Sequence, residues 1–260
     1  MLFAGGQLPC FLLALGVGGA PQLDAGYLRP GMTSLVANVA TNLLFFHAVK
    51  MSSMSRCVPM LALTPVFTAV IGFVWLDERP SAAQLLGISL IVGGALVLGL
   101  HAAKRPALAD AAPASTSETT RDSAGGPALM IVVALCLAVS AINDKLALPH
   151  ANVAFHASVQ TGGVMLVALG WLALRGRVGE LRLAKPHLGA VAFGVLVSVA
   201  ALGLQLIAIQ SVLVSLMESI KRALGVLASV VSGRVLFGEP VTRAKLGACL
   251  LMAVGVVLVV

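Results

Sequence analysis

The sequence predicts an all-α polytopic membrane protein, and two observations lead to this prediction. Of its 260 residues, 59% are hydrophobic and only 10% are charged, and the mean hydropathy is +1.02. A soluble domain carries roughly 25% charged residues, so most of the surface of this chain must face lipid. The apolar residues also form continuous runs, which indicates helices, because the strands of membrane barrels alternate in character over roughly 10 residues.

Nine segments are apolar enough to be transmembrane helices, since a helix needs about 20 residues to cross the bilayer core. They lie at about 2–20, 32–50, 52–76, 82–101, 127–143, 152–174, 187–209, 211–236 and 243–260. The first segment has no positive n-region and no evident cleavage site, so we expect a retained helix. Ser81 to Gln84 fit a capping box at the start of the fourth span. Thr64-Pro65 predicts a kink in the third, because proline removes a helix hydrogen bond.

Two stretches of the chain follow nearly the same pattern and indicate an internal repeat. One runs from Phe73 to Pro80 and reads FVWLDERP, and the other runs from Gly233 to Pro240 and reads GRVLFGEP. In both, a glutamate closes one apolar segment, a proline opens the next, and a glycine follows 16 residues after the glutamate. A repeat of apolar spans is typical of duplicated membrane proteins that carry solutes.

A polar segment divides the chain into two parts. Residues 102–126 are rich in Ala, Ser, Thr and Pro and carry mixed charge, which is typical of a flexible linker. The predicted organisation is a first repeat of four helices at 1–101, this linker, and a second repeat of five helices at 127–260. When the halves are aligned from their ends, the span at 127–143 has no partner. Either the chain begins downstream of the true start, or the protein works with nine spans.

Several motifs occur at matched positions in the two halves. The first half holds Leu63-Thr-Pro65, Trp75-Leu-Asp-Glu78-Arg-Pro80, Leu86-Gly87 and Gly93-Gly94, and the second holds Ile220-Lys-Arg222, Val231-Ser-Gly233, Phe237-Gly-Glu239-Pro240, Leu246-Gly247 and Gly255. Together they resemble the EamA-type domain of the drug/metabolite transporter superfamily. The resemblance covers both halves and is strongest over 45–100 and 205–260.

This resemblance implies ten helices in two inverted five-helix repeats around a central cavity, and the present chain departs from it by lacking the first helix. It implies a secondary transporter, in the direction of export, for small organic metabolites such as amino acids, working by alternating access. Two alternatives stay open. One is a non-transporting membrane scaffold or partner subunit, and the other is multidrug efflux of amphipathic cations.

The eighth span holds three charged residues, Glu218, Lys221 and Arg222. A charged side chain at mid-bilayer costs roughly 2.5–3.5 kcal/mol or more. Glu218 lies three residues before Lys221 and four before Arg222, so all three can share one face of a helix. Either this group is a neutralised ion pair that locks two helices, or it lines the substrate cavity. As a cavity lining its net positive charge suits a carboxylate better than a cationic drug.

Other polar residues in the spans are further candidates for the cavity. They are Asn38, Asn42 and His47 on the second span, His156 and Gln160 on the sixth, and Gln205 on the seventh. For each amide the alternative is a hydrogen bond between helices. For each histidine the alternatives are a place at the membrane interface and proton coupling. Asp144 and Lys145, at the end of the fifth span, fit a loop equally well.

The sequence predicts neither an enzyme nor a cofactor or metal site. It contains no Gly-x-Ser-x-Gly, no His-Glu-x-x-His and no P-loop, and Ser219 is the nearest approach to a nucleophile. The net charge of +7 does not indicate nucleic-acid binding, because the basic residues lie in short loops between spans. The expected partners are a small-molecule substrate and the lipid bilayer, with a homodimer left open. The expected location is the inner (plasma) membrane of a bacterium.

The loops alternate in charge, which predicts an orientation. The loops after the second, fourth, sixth and eighth spans hold twelve Lys or Arg residues, and the other loops hold three. The positive-inside rule therefore places the N-terminus in the cytoplasm and the C-terminus outside. The family resemblance implies that both ends of a ten-helix member are cytoplasmic, so the two expectations disagree.

A reporter fused after Val260 tests this orientation. Because the charge count places the C-terminus outside, a reporter that is active only in the cytoplasm should give no signal. The same reporter fused before Met1 is the positive control. A cytoplasmic signal from the C-terminal fusion would contradict the charge count.

Overall fold

The computed structural model describes residues 2–18, 24–52, 57–104, 125–176, 188–237 and 243–259, and these ranges consist of helices and short connections with no strand. The α-helices in these ranges are α1 Leu2–Gly18, α2 Leu28–Met51, α3 Thr64–Leu76, α4 Ala82–Lys104, α5 Gly125–Ala147, α6 Val153–Leu174, α7 Leu188–Ala208, α8 Val214–Phe237 and α9 Arg243–Val259. Short 3₁₀ segments occupy Ala25–Tyr27, Val58–Leu63 and Leu148–His150. The prediction of an all-α chain is confirmed. Each predicted span overlaps an α-helix, but in the third span the α-helix covers only Thr64–Leu76 and follows a 3₁₀ segment.

Most of these helices have the composition of membrane spans. In the described part of the chain, five helical segments are long and apolar enough to cross a bilayer, namely Ala25–Met51, Val58–Leu76, Gly125–His150, Val153–Leu174 and Val191–Ala208. Shorter apolar helices cover Gln7–Gly16, Ala82–Leu98 and Lys245–Val259. Large apolar side chains such as Phe193 and Leu196 point outward, while polar ones such as Ser34 are buried. This is the reverse of a water-soluble protein and fits a lipid environment.

Helix α8 is long enough to cross a bilayer, but it carries more charged residues than a typical membrane span. Glu218, Lys221, Arg222 and Arg234 all lie on it. The predicted linker falls largely at residues 105–124, and the repeated motif ends at Glu239-Pro240; both lie outside the described residues.

The predicted local signals occur where the sequence places them. Ser81 N–H donates to Gln84 Oε1 at 2.9 Å, and Gln84 N–H donates to Ser81 Oγ at 3.3 Å, which confirms the capping box. At Thr64-Pro65 the structure has a boundary between two helical segments in place of the expected kink within one helix. A 3₁₀ segment ends at Leu63, and α3 begins with Pro65 in its first turn. Backbone N–H groups in the first turn have no partner within the helix, so the N–H that proline lacks costs no helix hydrogen bond there.

The helices form two compact units, and the first comprises Met1–Val39 and Val139–Val212. Within it α1 packs against α6 and α7, and α6 also packs against α7. The 3₁₀ segment before α2 lies against the one after α5, and Asp24 N–H donates to His150 O at 3.2 Å. A small core of Tyr27, Ala147 and Ala151 closes this end of the unit.

The second unit comprises Ala40–Ala138 and Leu213–Val260. Within it α4 packs along α9, α3 packs against α8, and α8 contacts both α4 and α9. Ile91 and Met252 are fully buried at the centre of one apolar cluster. A second cluster joins the end of α2 to α5 around Ala48 and Met130.

Helices α4 and α9 run antiparallel and approach through small residues. A Cβ atom on Gly87 would lie 2.6 Å from Gly255 O, and a Cβ atom on Gly255 would lie 2.8 Å from Gly87 O. Further along, a Cβ atom on Gly94 would lie 3.0 Å from Ala248 O. The backbones are therefore too close for any side chain at these positions.

These contacts are reciprocal under the sequence repeat. The alignment that places Gly94 on Gly255 also places Gly87 on Ala248. The contact of Gly87 with Gly255 and that of Gly94 with Ala248 are thus the same contact made from each repeat, as in a two-fold interface. Two-fold pairing of antiparallel helices is what an inverted repeat requires, so this packing supports the inverted arrangement.

Substitution of Gly87 or Gly255 by alanine should destabilise the second unit. Each added methyl group meets backbone atoms at contact distances that real Cβ atoms do not adopt, and overpacking of this kind costs about 1–3 kcal/mol. The matched control is Gly93→Ala on α4, where a Cβ atom would meet nothing within 4 Å. Thermal unfolding of the detergent-purified variants, followed by gel filtration, should show lower midpoints for the first two only. Equal midpoints for all three would contradict the close packing.

Candidate functional site

Two groups of polar side chains lie among the helices. The first is the charged cluster of the second unit, defined as Glu218, Lys221 and Arg222 on α8 together with Glu78, which contacts the first residue of that helix. Glu218 is 2% exposed, and Lys221 Nζ donates to its Oε1 over one turn of α8. The Lys221 side chain is 43% exposed, so its ammonium group reaches the edge of the unit. The predicted ion pair is therefore present, with its acid inside and its base outside.

Arg222 makes a side-chain hydrogen bond to a hydroxyl group. Its Nη2 donates to Thr64 Oγ1 at 3.2 Å. Its Nε is buried and has no hydrogen-bond partner among the described residues. A guanidinium group carries five N–H donors in a fixed fork that matches a carboxylate. Arg222 thus retains donor capacity that an anionic group can use.

Glu78 enters this cluster from the other half of the chain. Both of its carboxylate oxygens accept from Val214 N–H, at 3.1 and 3.2 Å, at the first residue of α8. A carboxylate satisfies the unpaired N–H groups of a helix N-terminus and interacts favourably with its dipole. Glu78 is also 7% exposed. The cluster therefore contains two acids and two bases, whereas the sequence predicted one acid and an excess of positive charge.

The second group is the buried polar network of the first unit, formed by Tyr27, Ser34, Ser140, Asp144 and His156. His156 Nε2 lies 2.9 Å from Asp144 Oδ1, and His156 Nδ1 lies 3.0 Å from the Tyr27 hydroxyl oxygen. Ser34 Oγ donates to Asp144 Oδ1, and Ser140 Oγ lies 3.0 Å from Ser34 Oγ. All five side chains are buried, and they join α2, α5 and α6.

Asp144 differs from what the sequence suggested. It fitted a loop by sequence, but α5 continues to Ala147 and places its carboxylate 6% exposed within the unit. His156 lies in the first turn of α6 and is fully buried, and its placement at the level of the membrane interface stays a prediction. Each of the two side chains finds in the other the hydrogen-bonding partner that burial requires.

The structure also brings Asn38 and Gln160 together. Asn38 Nδ2 donates to Gln160 Oε1 at 3.2 Å, and Gln160 Nε2 donates to Gly31 O at 3.3 Å. This is the hydrogen bond between helices that the sequence left open as an alternative. Asn42 and His47 are exposed on the later part of α2, and Gln205 is half-buried on α7.

The residues of these two polar groups that the sequence did not single out as site candidates are Tyr27, Ser34, Ser140 and Glu78. Ser34 lies four residues before Asn38, and Ser140 lies four before Asp144, so polar positions at helical spacing could have indicated a common face. Glu78 was recognised as part of a repeated motif, but nothing in the sequence near it indicates its partner at Val214.

The helices with apolar exteriors and these buried polar groups define a polytopic α-helical membrane protein. The model of the EamA-like transporter family matches residues 1–100, which confirms the resemblance over that part of the chain and indicates a membrane protein of the transporter type. For residues 205–260 the resemblance stays a prediction from the motifs.

A comparison with solved structures supports the same fold. One crystal structure superposes with a TM-score of 0.72 over 99% of this chain and 84% of its own, at 17% sequence identity. At that identity the likeness shows the fold alone. The comparison with curated proteins gave no match.

Removal of the Glu78 carboxylate should weaken the start of α8. We expect Glu78→Ala to lower the free energy of unfolding by about 1–2 kcal/mol, because the Val214 N–H loses its buried acceptor. Glu78→Gln keeps one acceptor oxygen and should cost less. Asp77→Asn is the control, since Asp77 is exposed and contacts Arg79. Thermal unfolding in detergent measures the order, and a loss as large for Asp77→Asn as for Glu78→Ala would refute the capping role.

Proposed function

We propose that the protein is a secondary transporter that exports small organic metabolites such as amino acids across the inner membrane of a bacterium, by alternating access. The match to the EamA-like transporter family supports the general class. The observation that carries the finer proposal is Arg222, whose buried Nε has no partner among the described residues. In this proposal the charged cluster contacts the substrate.

The energetic reason is the cost of an unsatisfied buried donor. Leaving such a group without a partner costs about 1–3 kcal/mol, and more for a charged one. A substrate carboxylate that accepts from Arg222 removes this cost and forms a charge-assisted hydrogen bond. The cost is therefore lower when substrate is bound, which favours binding.

The same cluster argues against amphipathic cations as the main substrates. The acids already have partners, because Glu218 accepts from Lys221 and Glu78 accepts from Val214 N–H. A cationic substrate would approach Arg222 and Lys221 without an acid left to pair with, whereas an amino acid brings its own carboxylate. Charge complementarity of this kind sets specificity more than affinity.

Alternative functions gain less support. Ser219 is fully buried and its hydroxyl donates to Ser215 O at 2.7 Å within α8, so it is placed as a packing residue rather than as a nucleophile. The sequence contains no P-loop, so we propose that an ion gradient or the substrate's own gradient drives transport. A non-transporting scaffold and a homodimer stay predictions.

Flux measurements in proteoliposomes test the proposal. A thermal-shift screen of the purified protein against amino acids, nucleosides, sugars and amphipathic cations selects the candidates. Their radiolabelled forms are then followed into vesicles with and without protein. We expect flux for at least one compound with a carboxylate group. A protein that is folded and reconstituted, but gives no flux for any compound in the panel, would refute the proposal.

The role of the charged cluster is tested by substitution. Lys221→Ala and Arg222→Ala should each lower substrate affinity about 10- to 100-fold, since a hydrogen bond to a charged group contributes about 1.5–3 kcal/mol. Glu218→Gln should also reduce transport, because Lys221 loses its ionic partner. Arg234→Ala is the matched control, because Arg234 is an exposed cation in the last turn of the same helix. Normal transport by all three cluster variants would refute this assignment.

A further inference from the structure

We propose that Asp144 and His156 form a proton-binding site, and that this proton is the ion coupled to transport. The two residues are called the buried pair below. The coupling role rests on the proposed function, whereas proton binding by the pair does not.

The hydrogen bonds around the buried pair have a consistent direction. When the imidazole is neutral, the Tyr27 hydroxyl donates to His156 Nδ1 at 3.0 Å, and His156 Nε2–H donates to Asp144 Oδ1 at 2.9 Å. Ser34 Oγ donates to the same carboxylate oxygen. Every donor thus leads to Asp144, and the network holds one negative charge inside an apolar unit.

The network can accept one proton without any movement of its helices. Protonation of His156 Nδ1 makes both ring nitrogens donors, and the Tyr27 hydroxyl then accepts after rotation of its O–H bond. The pair becomes an ion pair with no net charge. Uptake of this proton leaves no uncompensated charge in the interior of the unit. Release follows when a conformational change gives the carboxylate another partner or water.

The groups that face the buried pair do not already supply this charge. Lys145 Nζ donates to Val212 O at 2.7 Å, and Asp24 pairs with His150 at 3.3 Å. Arg29 is exposed on α2. Of the helices packed beside α6, α1 contributes only Cys10 as a titratable residue, and α7 contributes none. Together with Tyr27, these are the charged or titratable groups near the pair that the described residues of the first unit contribute.

The buried pair is also better suited to proton exchange than the charged cluster. The partner of Glu218 is Lys221, and a lysine ordinarily keeps its charge well above neutral pH. The partner of Asp144 is a histidine, the side chain whose charge ordinarily changes near neutral pH.

A pocket lies near the Tyr27 end of the network. This pocket of about 480 Å³ is lined by Asp24, the segment 148–153 and Gln210. Ala151 both lines this pocket and packs in the small core with Tyr27. The Tyr27 end of the network is therefore separated from the pocket by one layer of side chains.

The Asp24–His150 pair is a matched control provided by the chain itself. It has the same chemistry in the same unit, but its side chains are 72% and 38% exposed, against 8% and 0% for Asp144 and His156. A proton taken up by the surface pair exchanges with bulk water and is not required to be coupled to transport.

Solid-state NMR of ¹⁵N-histidine-labelled protein in liposomes tests proton binding directly. The chain has five histidines, so a variant with His47, His101, His150 and His187 all replaced by glutamine reports His156 alone. Spectra are recorded from acid to alkaline pH, and Nδ1 should change from protonated to unprotonated while Nε2 stays protonated. Asp144→Asn in this background should abolish that pattern. An unchanged His156 signal across this range would overturn the proposal.

Transport measurements test the coupling with a separate readout. The probe is the radiolabelled metabolite that gives flux in the panel described above, measured with and without a pH gradient. We expect the stimulation by the gradient to be lost in His156→Gln and retained in His150→Gln, while exchange at equal pH persists in both. Wild-type flux that ignores the gradient would overturn the coupling and leave the proposed function intact. If no metabolite gives flux, the proposed function fails, and the NMR experiment still decides the proton site.

Discussion

The constraint on which the rest of the structure depends is the lack of water in the bilayer core. A polar group on a membrane helix must find its partner within the protein, because each unsatisfied group costs several kcal/mol. Helices satisfy the hydrogen bonds of their own backbone, so the groups that need a partner elsewhere are those at helix ends and on polar side chains. Glu78 accepts the hydrogen bond of a backbone N–H at the start of α8, and His156 is hydrogen-bonded to both Tyr27 and Asp144. Long-range polar contacts therefore hold these spans together.

Close packing holds the helices together in lipid, where no hydrophobic driving force acts between them. Helices in a membrane associate through van der Waals contact and small residues, since lipid tails are as apolar as leucine. The α4–α9 contact follows this rule, with Gly87 and Gly255 meeting through their backbones. Its reciprocity also explains why the sequence repeats a glycine at a fixed distance after the glutamate. The same position has to be small in each repeat, because each faces the equivalent helix of the other.

The helices could be predicted from the sequence, whereas the polar partners could not. Continuous apolar runs specify membrane helices strongly, because length and composition are set by the bilayer. Local pairs such as Ser81 with Gln84, and Glu218 with Lys221, follow from spacing on one helix. The contacts of Glu78 with Val214 and of Tyr27 with His156 join residues more than a hundred positions apart. Spacing along one helix carries no information about such pairs, so Asp144 could not be distinguished from a loop residue.

The two polar groups differ in whether their charge is fixed, and this difference suits coupled transport. A coupled carrier needs one group that recognises the cargo and another whose occupancy depends on an ion, with both biasing the same conformational equilibrium. The charged cluster has guanidinium and ammonium groups, whose charges are fixed near neutral pH. The buried pair has the only kind of side chain that ordinarily changes charge there. Because linkage is reciprocal, a proton that favours one conformation through the pair must alter the affinity for a substrate that prefers the other. In the proposed mechanism, a gradient of protons drives export through this linkage.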